Sequence, residues 1–362
     1  MSVKGRSILL KILLAPFAFL YGRVVAIRNW MFDNGILPSV SYDFPVICVG
    51  NITVGGTGKT PFTEYLIRLL LPQKKVGVLS RGYKRSTSGF VLSTKYSKAS
   101  EIGDEPCQIK RKFPEVVLAV DANRRRGIQK MREREQPEVF LLDDAYQHRY
   151  VKPGLSILLI DYNRLVTEDS LLPLGQLREP VRYMNRANIV VVNKCPATIT
   201  PMELRIIKKK LSLYPYQTLY YSSIAYGDCV PVFAESPLTG EMLRPEALHQ
   251  GEYAVLCVTG IASPKPFESY ISSFAKIAKS LNFGDHHSFT KGDISSIEKE
   301  FKSISSPNKI ILTTEKDAVR LQENPFLSDE LKKVICCIPL TVRFLGGEES
   351  FNKQILEYVG KN

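Results

Sequence analysis

Between residues 45 and 195, short unbroken apolar runs alternate with longer stretches of helical periodicity. The runs at 46–49, 76–80, 116–120, 139–143, 156–160 and 189–193 are rich in Val, Ile and Leu. Strands buried on both faces read this way, because neither face needs polar side chains. Helical patterns lie between several of them, at 59–71, 121–134 and 201–213. This order predicts a parallel sheet covered by helices on both sides. The pattern weakens over 215–252, where 216–223 reads as a strand followed by Gly, Pro and polar residues. It resumes with a strand at 253–259, a helix over 264–281, strands at 309–313 and 334–338, and a last helix near 349–358. The expected division is an N-terminal helix (1–32), a three-layer α/β/α domain (33–215), a β linker (216–252) and a smaller α/β domain (253–362).

The first 32 residues carry Lys4, Arg6, Lys11, Arg23 and Arg28 and no acid. Their longest uncharged apolar run, 12–21, has ten residues, where a spanning helix needs about 20. Lys11 and Pro16 count further against a span. No small-x-small cleavage site follows, so a secretory leader is not expected. The expectation is a helix lying in the bilayer interface, with Phe17, Phe19, Tyr21 and Trp30 at headgroup depth and cations facing anionic lipid. A first helix packed on the protein's own core is the open alternative.

Composition changes this picture little. The net charge of +13 over 362 residues favours anionic partners, whether nucleotide phosphates, nucleic acid or a membrane surface. The seven cysteines include no CxxC pair, and several sit in apolar runs. Structural thiols in a reducing compartment are expected, which excludes a disulfide framework or a zinc site.

Candidate chemistry begins after the first strand. Gly50-Asn51-Ile52-Thr53-Val54-Gly55-Gly56-Thr57-Gly58-Lys59-Thr60 joins that strand to a helix, the context a phosphate-binding loop requires. Glycines let backbone N–H groups face phosphate oxygens, and the helix N-terminus adds positive potential. Thr53, Val54, Gly55, Gly56, Thr57, Gly58, Lys59 and Thr60 are the expected ATP-binding residues. Lys59 would reach the β- and γ-phosphates, and Thr60 would ligate Mg²⁺. Thr53 stands where the strict pattern has glycine, so the loop is a variant. The strand at 139–143 ends in Asp143 and Asp144, which supply the carboxylates such a loop needs for Mg²⁺. Val190-Val191-Val192-Asn193-Lys194-Cys195 resembles the start of a guanine-reading motif, but Pro196 replaces its aspartate. A plain strand and turn is expected there, and ATP rather than GTP.

Further segments stand out: Leu79-Ser80-Arg81-Gly82-Tyr83, Gly103-Asp104-Glu105-Pro106, Asp143-Asp144-Ala145-Tyr146-Gln147-His148, Leu172-Pro173-Leu174-Gly175-Gln176-Leu177-Arg178-Glu179-Pro180, Asp285-His286-His287-Ser288-Phe289 and Thr314-Glu315-Lys316-Asp317-Ala318. With the phosphate loop, and in this order, they closely resemble the tetraacyldisaccharide 4′-kinase family.

That resemblance implies transfer of the γ-phosphate of ATP to the 4′-hydroxyl of a tetraacylated glucosamine disaccharide 1-phosphate, giving lipid IVA. It implies a P-loop NTPase-like α/β/α domain, a second α/β domain joined by a two-stranded linker, and a site in the cleft between them. It also implies attachment to the cytoplasmic face of the bacterial inner membrane, peripheral or monotopic, and no nucleic-acid partner. Asp104 matches the proposed base and His286, preferred over His287, its partner. Asp144 and Glu179 match residues around metal and γ-phosphate, with Asp143 beside them. Arg178 is the candidate for transition-state charge. Arg81, Arg124, Arg125 and Arg126 could meet the acceptor's 1-phosphate, although 124–126 also reads as a solvated helix face. Gln147 and His148 could orient groups. Ala145-Tyr146 and Gln176 depart from the usual family residues and bear on acceptor-site shape. A membrane-attached P-loop ATPase acting as a switch or partitioning protein is the rival reading.

Overall fold

The structure is a computed structural model that describes residues 8–361. Helix α1 (Ile8–Asp33) comes first. Then follow β1 (Val46–Gly50), α2 (Lys59–Leu70), β2 (Val76–Ser80), β3 (Val91–Leu92), α3 (Ala99–Ile102), α4 (Asp104–Lys112), β4 (Val117–Val120), α5 (Arg124–Glu135), β5 (Val139–Asp143), β6 (Leu155–Asp161), β7 (Ile189–Asn193), α6 (Pro201–Leu211) and β8 (Thr218–Tyr226). The chain continues with β9 (Val230–Pro231), α7 (Pro245–Gln250), β10 (Ala254–Thr259), α8 (Lys265–Ser272), β11 (Lys276–Asn282), α9 (Lys291–Lys302), β12 (Lys309–Thr314), α10 (Glu315–Gln322), α11 (Asp329–Lys332), β13 (Ile335–Ile338), β14 (Leu340–Phe344) and α12 (Glu348–Lys361).

Two compact units result. The first runs to Tyr96 and adds Lys112–Ile224 and the segment from Val342 onward; the second holds Ser97–Arg111 and Ala225–Thr341. In the first, nine strands form one sheet in the order β14-β8-β7-β6-β1-β5-β2-β4-β3. Its central strands are parallel, with Val49 opposite both Asp143 and Ile157. Every residue of β1, β2 and β5 is buried, which is why these runs show no polar alternation. The carboxyl ends of β1 and β5 thus lie side by side, the place where open α/β sheets bind ligands. The second unit holds a five-stranded sheet, order β11-β10-β12-β13-β9.

Two expectations need correction. The grouping is discontinuous, since residues 97–111 belong with the second unit and α12 with the first. Arg111 donates to Val319 O at 3.1 Å and Ala99 N–H to Glu323 at 2.7 Å. Phe351, Ile355 and Val359 of α12 are buried, and the Phe351 ring meets Phe62 edge-on at 5.7 Å. The second correction concerns 264–281, which is not one helix: α8 ends at Ser272 and Lys276–Asn282 forms edge strand β11, parallel to β10. Its Lys, Ala and Leu are good helix formers, but sheet pairing overrides propensity.

Helix α1 runs unbroken through Lys11 and Pro16 for 26 residues, about 39 Å at 1.5 Å per residue. By length and composition it is long and apolar enough to cross a membrane. Leu9, Ile12, Leu13, Phe17, Phe19 and Leu20 are exposed, whereas Asn29 and Phe32 near its end are buried. Its outer part is therefore not packed on the protein's own core. Of its expected cations, Lys4 and Arg6 lie outside the described residues.

Candidate active site

The phosphate loop leaves β1 and is pinned at once. Thr53 bridges to Leu177, Val54 N–H donates to Gln176 O at 2.8 Å, and Arg178 N–H donates to Ile52 O at 2.7 Å. Thr53, in the position of the usual glycine, is buried, and its hydroxyl lies 3.4 Å from Asn51 Nδ2. Asn51 also donates to Thr57 Oγ1 at 3.0 Å. Gly55 and Gly58 have φ of 103° and 86°, conformations in which a side chain is strained. Lys59 and Thr60 open α2.

Asp143, at the end of β5, is buried and accepts from Ser80 Oγ at 3.2 Å and Thr63 Oγ1 at 3.4 Å. Asp144 has left-handed backbone, φ 47°. Its carboxylate lies 3.5 Å from Lys59 Nζ and 3.3 Å from Arg178 Nη1. Burial pushes the Asp144 carboxyl up, but Lys59 and Arg178 outweigh it and hold it below its ordinary value. Carboxylate and hydroxyl oxygens from Asp143, Asp144 and Thr60 suit a hard cation such as Mg²⁺.

Arg178 and Glu179 do not pair with each other. Arg178 takes Asp144, while Glu179 is buried and accepts from Arg186 and, at 3.5 Å, from Asn29 of α1. Burial raises the Glu179 carboxyl above its ordinary value, and its Oε1 has no hydrogen-bond partner among the described residues. Helix α1 touches that segment once more, where Tyr21 donates to Arg178 O at 2.9 Å, and reaches the Asp143–His148 segment, where Arg28 donates to Gln147 O at 3.1 Å. The apolar pattern of residues 1–32 gave no hint of these polar anchors.

Gln147 donates to Asn51 O at 2.7 Å. His148 follows, and its buried Nε2 has no partner among the described residues. Burial and the field of Arg124, Arg28, Arg125 and Arg81 push its imidazole down to about 4. The three arginines of α5 have separate fates: the solvated-face reading fails at Arg124 and holds at exposed Arg126. Arg124 is buried at 2% exposure and donates to Asp121 O at 3.0 Å. Arg126 binds Asp121 through two contacts of 2.7 and 2.8 Å. Arg125 lines a cavity of about 380 Å³ with Ala122, Asn123, His148 and Tyr150.

A separate constellation forms inside the second unit. Asp104, first residue of α4, lies 3.0 Å from His286 Nδ1 and 2.5 Å from Arg320 Nη2. Burial pushes the Asp104 carboxyl up, but Arg320 and then His286 outweigh it and leave it below its ordinary value. His287 goes elsewhere, to Asp293 at 2.9 Å and a stacked Phe283. The Thr314–Ala318 motif, which had no mechanism in the sequence, supplies the support. Thr314 caps α10. Asp317 is fully buried and accepts from Gly260 N–H at 2.9 Å, Thr314 Oγ1 at 2.7 Å and Arg320 Nη1 at 3.1 Å. Lys316 Nζ meets His286 Nε2 at 2.9 Å. Arg320 carries no motif signal; only the helical spacing of three from Asp317 would have drawn attention to it.

Comparison with known proteins gives this geometry its family. The chain is 51% identical over 356 residues to the tetraacyldisaccharide 4′-kinase of Bacteroides thetaiotaomicron, covering 96% of this chain and 93% of that one. It is 47% identical over 364 residues to the enzyme of the same name from Phocaeicola vulgatus, covering 99% and 98%. The crystal structure of LpxK from Aquifex aeolicus in complex with ATP matches with a TM-score of 0.75 and 28% identity, over 97% of this chain and 99% of that one. The rival reading as a switch or partitioning ATPase gains nothing from these relatives. A family model described as tetraacyldisaccharide-1-P 4′-kinase spans residues 10–360, and the chain belongs to that family of ATP-dependent lipid A 4′-kinases.

Proposed function

We propose that two sets of residues divide the kinase reaction. Thr53–Thr60 would hold the triphosphate of ATP, with Thr60, Asp143 and Asp144 as the Mg²⁺ donors. Mg²⁺, when bound, offsets charge on the transferring phosphoryl group. Lys59 and Arg178 place two further cations on Asp144, where they can shift to the γ-phosphate oxygens as negative charge develops there. Glu179, expected among the metal donors, is better supported as an anchor for α1, given its bonds to Asn29 and Arg186.

Asp104 would take the proton from the acceptor's 4′-hydroxyl as that oxygen bonds to the γ-phosphorus and the bond to ADP breaks. Positioned bases of this kind contribute typically ~10²–10⁴-fold. The observation that carries the assignment is the carboxylate of Asp104 fixed by His286 Nδ1 at 3.0 Å. Its depressed pKa keeps the base form present at neutral pH. Arg28, Arg81, Arg124 and Arg125 around His148 would bind the acceptor's 1-phosphate, because Arg matches phosphate oxygens in pairs. The enzyme would work at the cytoplasmic face of the bacterial inner membrane, where both ATP and the lipid acceptor are within reach of a chain carrying α1.

Transfer of label from γ-labelled ATP to the disaccharide 1-phosphate tests the reaction. Asp104→Ala should cut turnover by two orders of magnitude or more, roughly the base contribution, while MgATP affinity stays near wild type. Equal loss of both would remove Asp104 from the base role.

A further inference from the structure

The phosphate loop is gripped from behind by its carbonyls. Arg164 Nη2 donates to Val54 O at 2.7 Å, Asn51 Nδ2 to Gly55 O at 3.4 Å and Asn193 Nδ2 to Thr57 O at 3.0 Å. Lys194 Nζ donates to Gly56 O. Four consecutive carbonyls each accept from a side chain, and two of the donors are cations.

A peptide plane carries its C=O and N–H on opposite edges. Fixing the carbonyls outward therefore turns the N–H groups of Gly55, Gly56 and Gly58 the other way, while Thr57 N–H closes on Gly55 O at 3.1 Å. Glycines alone would leave this the loosest part of the chain. The grip replaces that freedom with a preset cradle, so less ordering is needed when an anion binds.

The gripping side chains are themselves held. Asn193 is fully buried, and its Oδ1 accepts from Ser222 Oγ at 3.0 Å and Lys194 N–H at 2.8 Å. Its Nδ2 stands where a Cβ on Gly58 would clash, so the glycine makes room for Asn193. Lys194 has φ 62°, uncommon for a residue with a side chain. Its ammonium is shared with Asp161 Oδ2 at 2.9 Å, and Arg164 N–H donates to Asp161 O at 3.0 Å. The ends of β6 and β7 thus form one bracket around the loop.

We infer that Asn193 and Lys194, with Arg164, are positioning residues for the phosphoryl donor: they act through the phosphate loop and set its affinity for the triphosphate of MgATP. This rests on the reading of Thr53–Thr60 as the donor site. It gives the truncated Asn-Lys motif a role that needs no aspartate at position 196.

The test uses the full chain in detergent, with MgATP as probe. Asn193→Ala and Lys194→Met should each raise the Kd and KM for MgATP on the order of ten-fold, the effect of losing a buried or charged hydrogen bond. The KM for the lipid acceptor and, for Lys194→Met, the Tm without nucleotide should stay near wild type, and Lys194→Arg should recover most of the affinity. Should buried Asn193→Ala not fold, Lys194→Met still decides. Wild-type MgATP affinity in Lys194→Met overturns the inference, as does a fall in nucleotide-free Tm with equal damage to both substrates. If Lys59→Ala binds MgATP as well as wild type does, the reading of the loop itself fails instead.

Discussion

Lys316 Nζ lies 2.9 Å from Nε2 of His286. An ammonium can only donate, so Nε2 must be the accepting nitrogen and the proton resides on Nδ1. Nδ1 in turn faces Asp104 Oδ2 at 3.0 Å, and an ionised carboxylate can only accept. The two contacts favour the Nδ1–H tautomer; Arg320 Nη2 also lies 3.2 Å from Nδ1 but donates to the same Asp104 oxygen at 2.5 Å. Glu105 and Asp285 hold Lys316 at 3.4 and 3.5 Å, so the lysine is itself steered from two sides.

Lys316→Met should release this tautomer. We expect kcat to fall roughly ten-fold or more, a part of the ~10²–10⁴-fold that positioned proton transfer contributes. Steady-state kinetics at saturating MgATP will show it, with nucleotide affinity near wild type. Lys316→Arg keeps a donor and should lose less. Equal activity in Lys316→Met would leave the lysine a surface charge.

Arg320→Gln should move the pH profile. Arg320 is the main attraction opposing burial at Asp104. A depressed folded pKa means activity and the stability due to the pair are present above the ordinary carboxylate range and are lost as pH falls through the depressed value. Without Arg320 the acid limb of kcat/KM should shift to higher pH. The variant also leaves fully buried Asp317 short of a partner, a loss on the order of 3 kcal/mol. Chemical unfolding at neutral pH measures the second effect, and an unmoved acid limb would separate Asp104 from that ionisation.

The sheet was legible because its central strands are buried on both faces, as the runs around Val46, Val139 and Ile189 announced. The loop and Asp143–Asp144 were legible because a phosphate cradle constrains neighbouring residues. The motif grammar also singled out Asp104 and the His286 segment. It could not show that His286 rather than His287 meets Asp104, since two adjacent side chains on a left-handed turn (φ 60° at His286) diverge only in three dimensions. Arg320, Arg164 and Asn29 stayed hidden for a similar reason: each acts on a residue far along the chain. The misread helix over 264–281 failed on local propensity.

Removing residues 1–20 should separate membrane attachment from site support. That deletion takes the exposed apolar part of α1 and spares Tyr21, Arg28 and Asn29, which bind Arg178, Gln147 and Glu179. The shortened chain should leave the membrane fraction while keeping MgATP affinity. Asn29→Ala in the full chain should do the reverse, staying with membranes but losing turnover through the Arg178–Glu179 segment. Continued pelleting of the shortened chain with membranes would assign attachment to another surface.

His148 offers a readout of acceptor binding. Its imidazole is held at about 4 by burial and by the four arginines around it, against an ordinary value near 6.5. It is therefore neutral at working pH, and the unfolded chain binds the extra proton first. Stability from this group should fall as pH drops from about 6.5 to about 4. An anion among Arg28, Arg81, Arg124 and Arg125 would reverse the local field and favour the imidazolium, which raises the pKa. NMR titration of the His148 ring should show an upward shift on adding the disaccharide 1-phosphate, and a smaller one with inorganic phosphate. Arg124→Gln should raise the free value and blunt the ligand effect. A His148 that titrates at its ordinary value in the free protein, or that ignores both ligands, would place the 1-phosphate elsewhere.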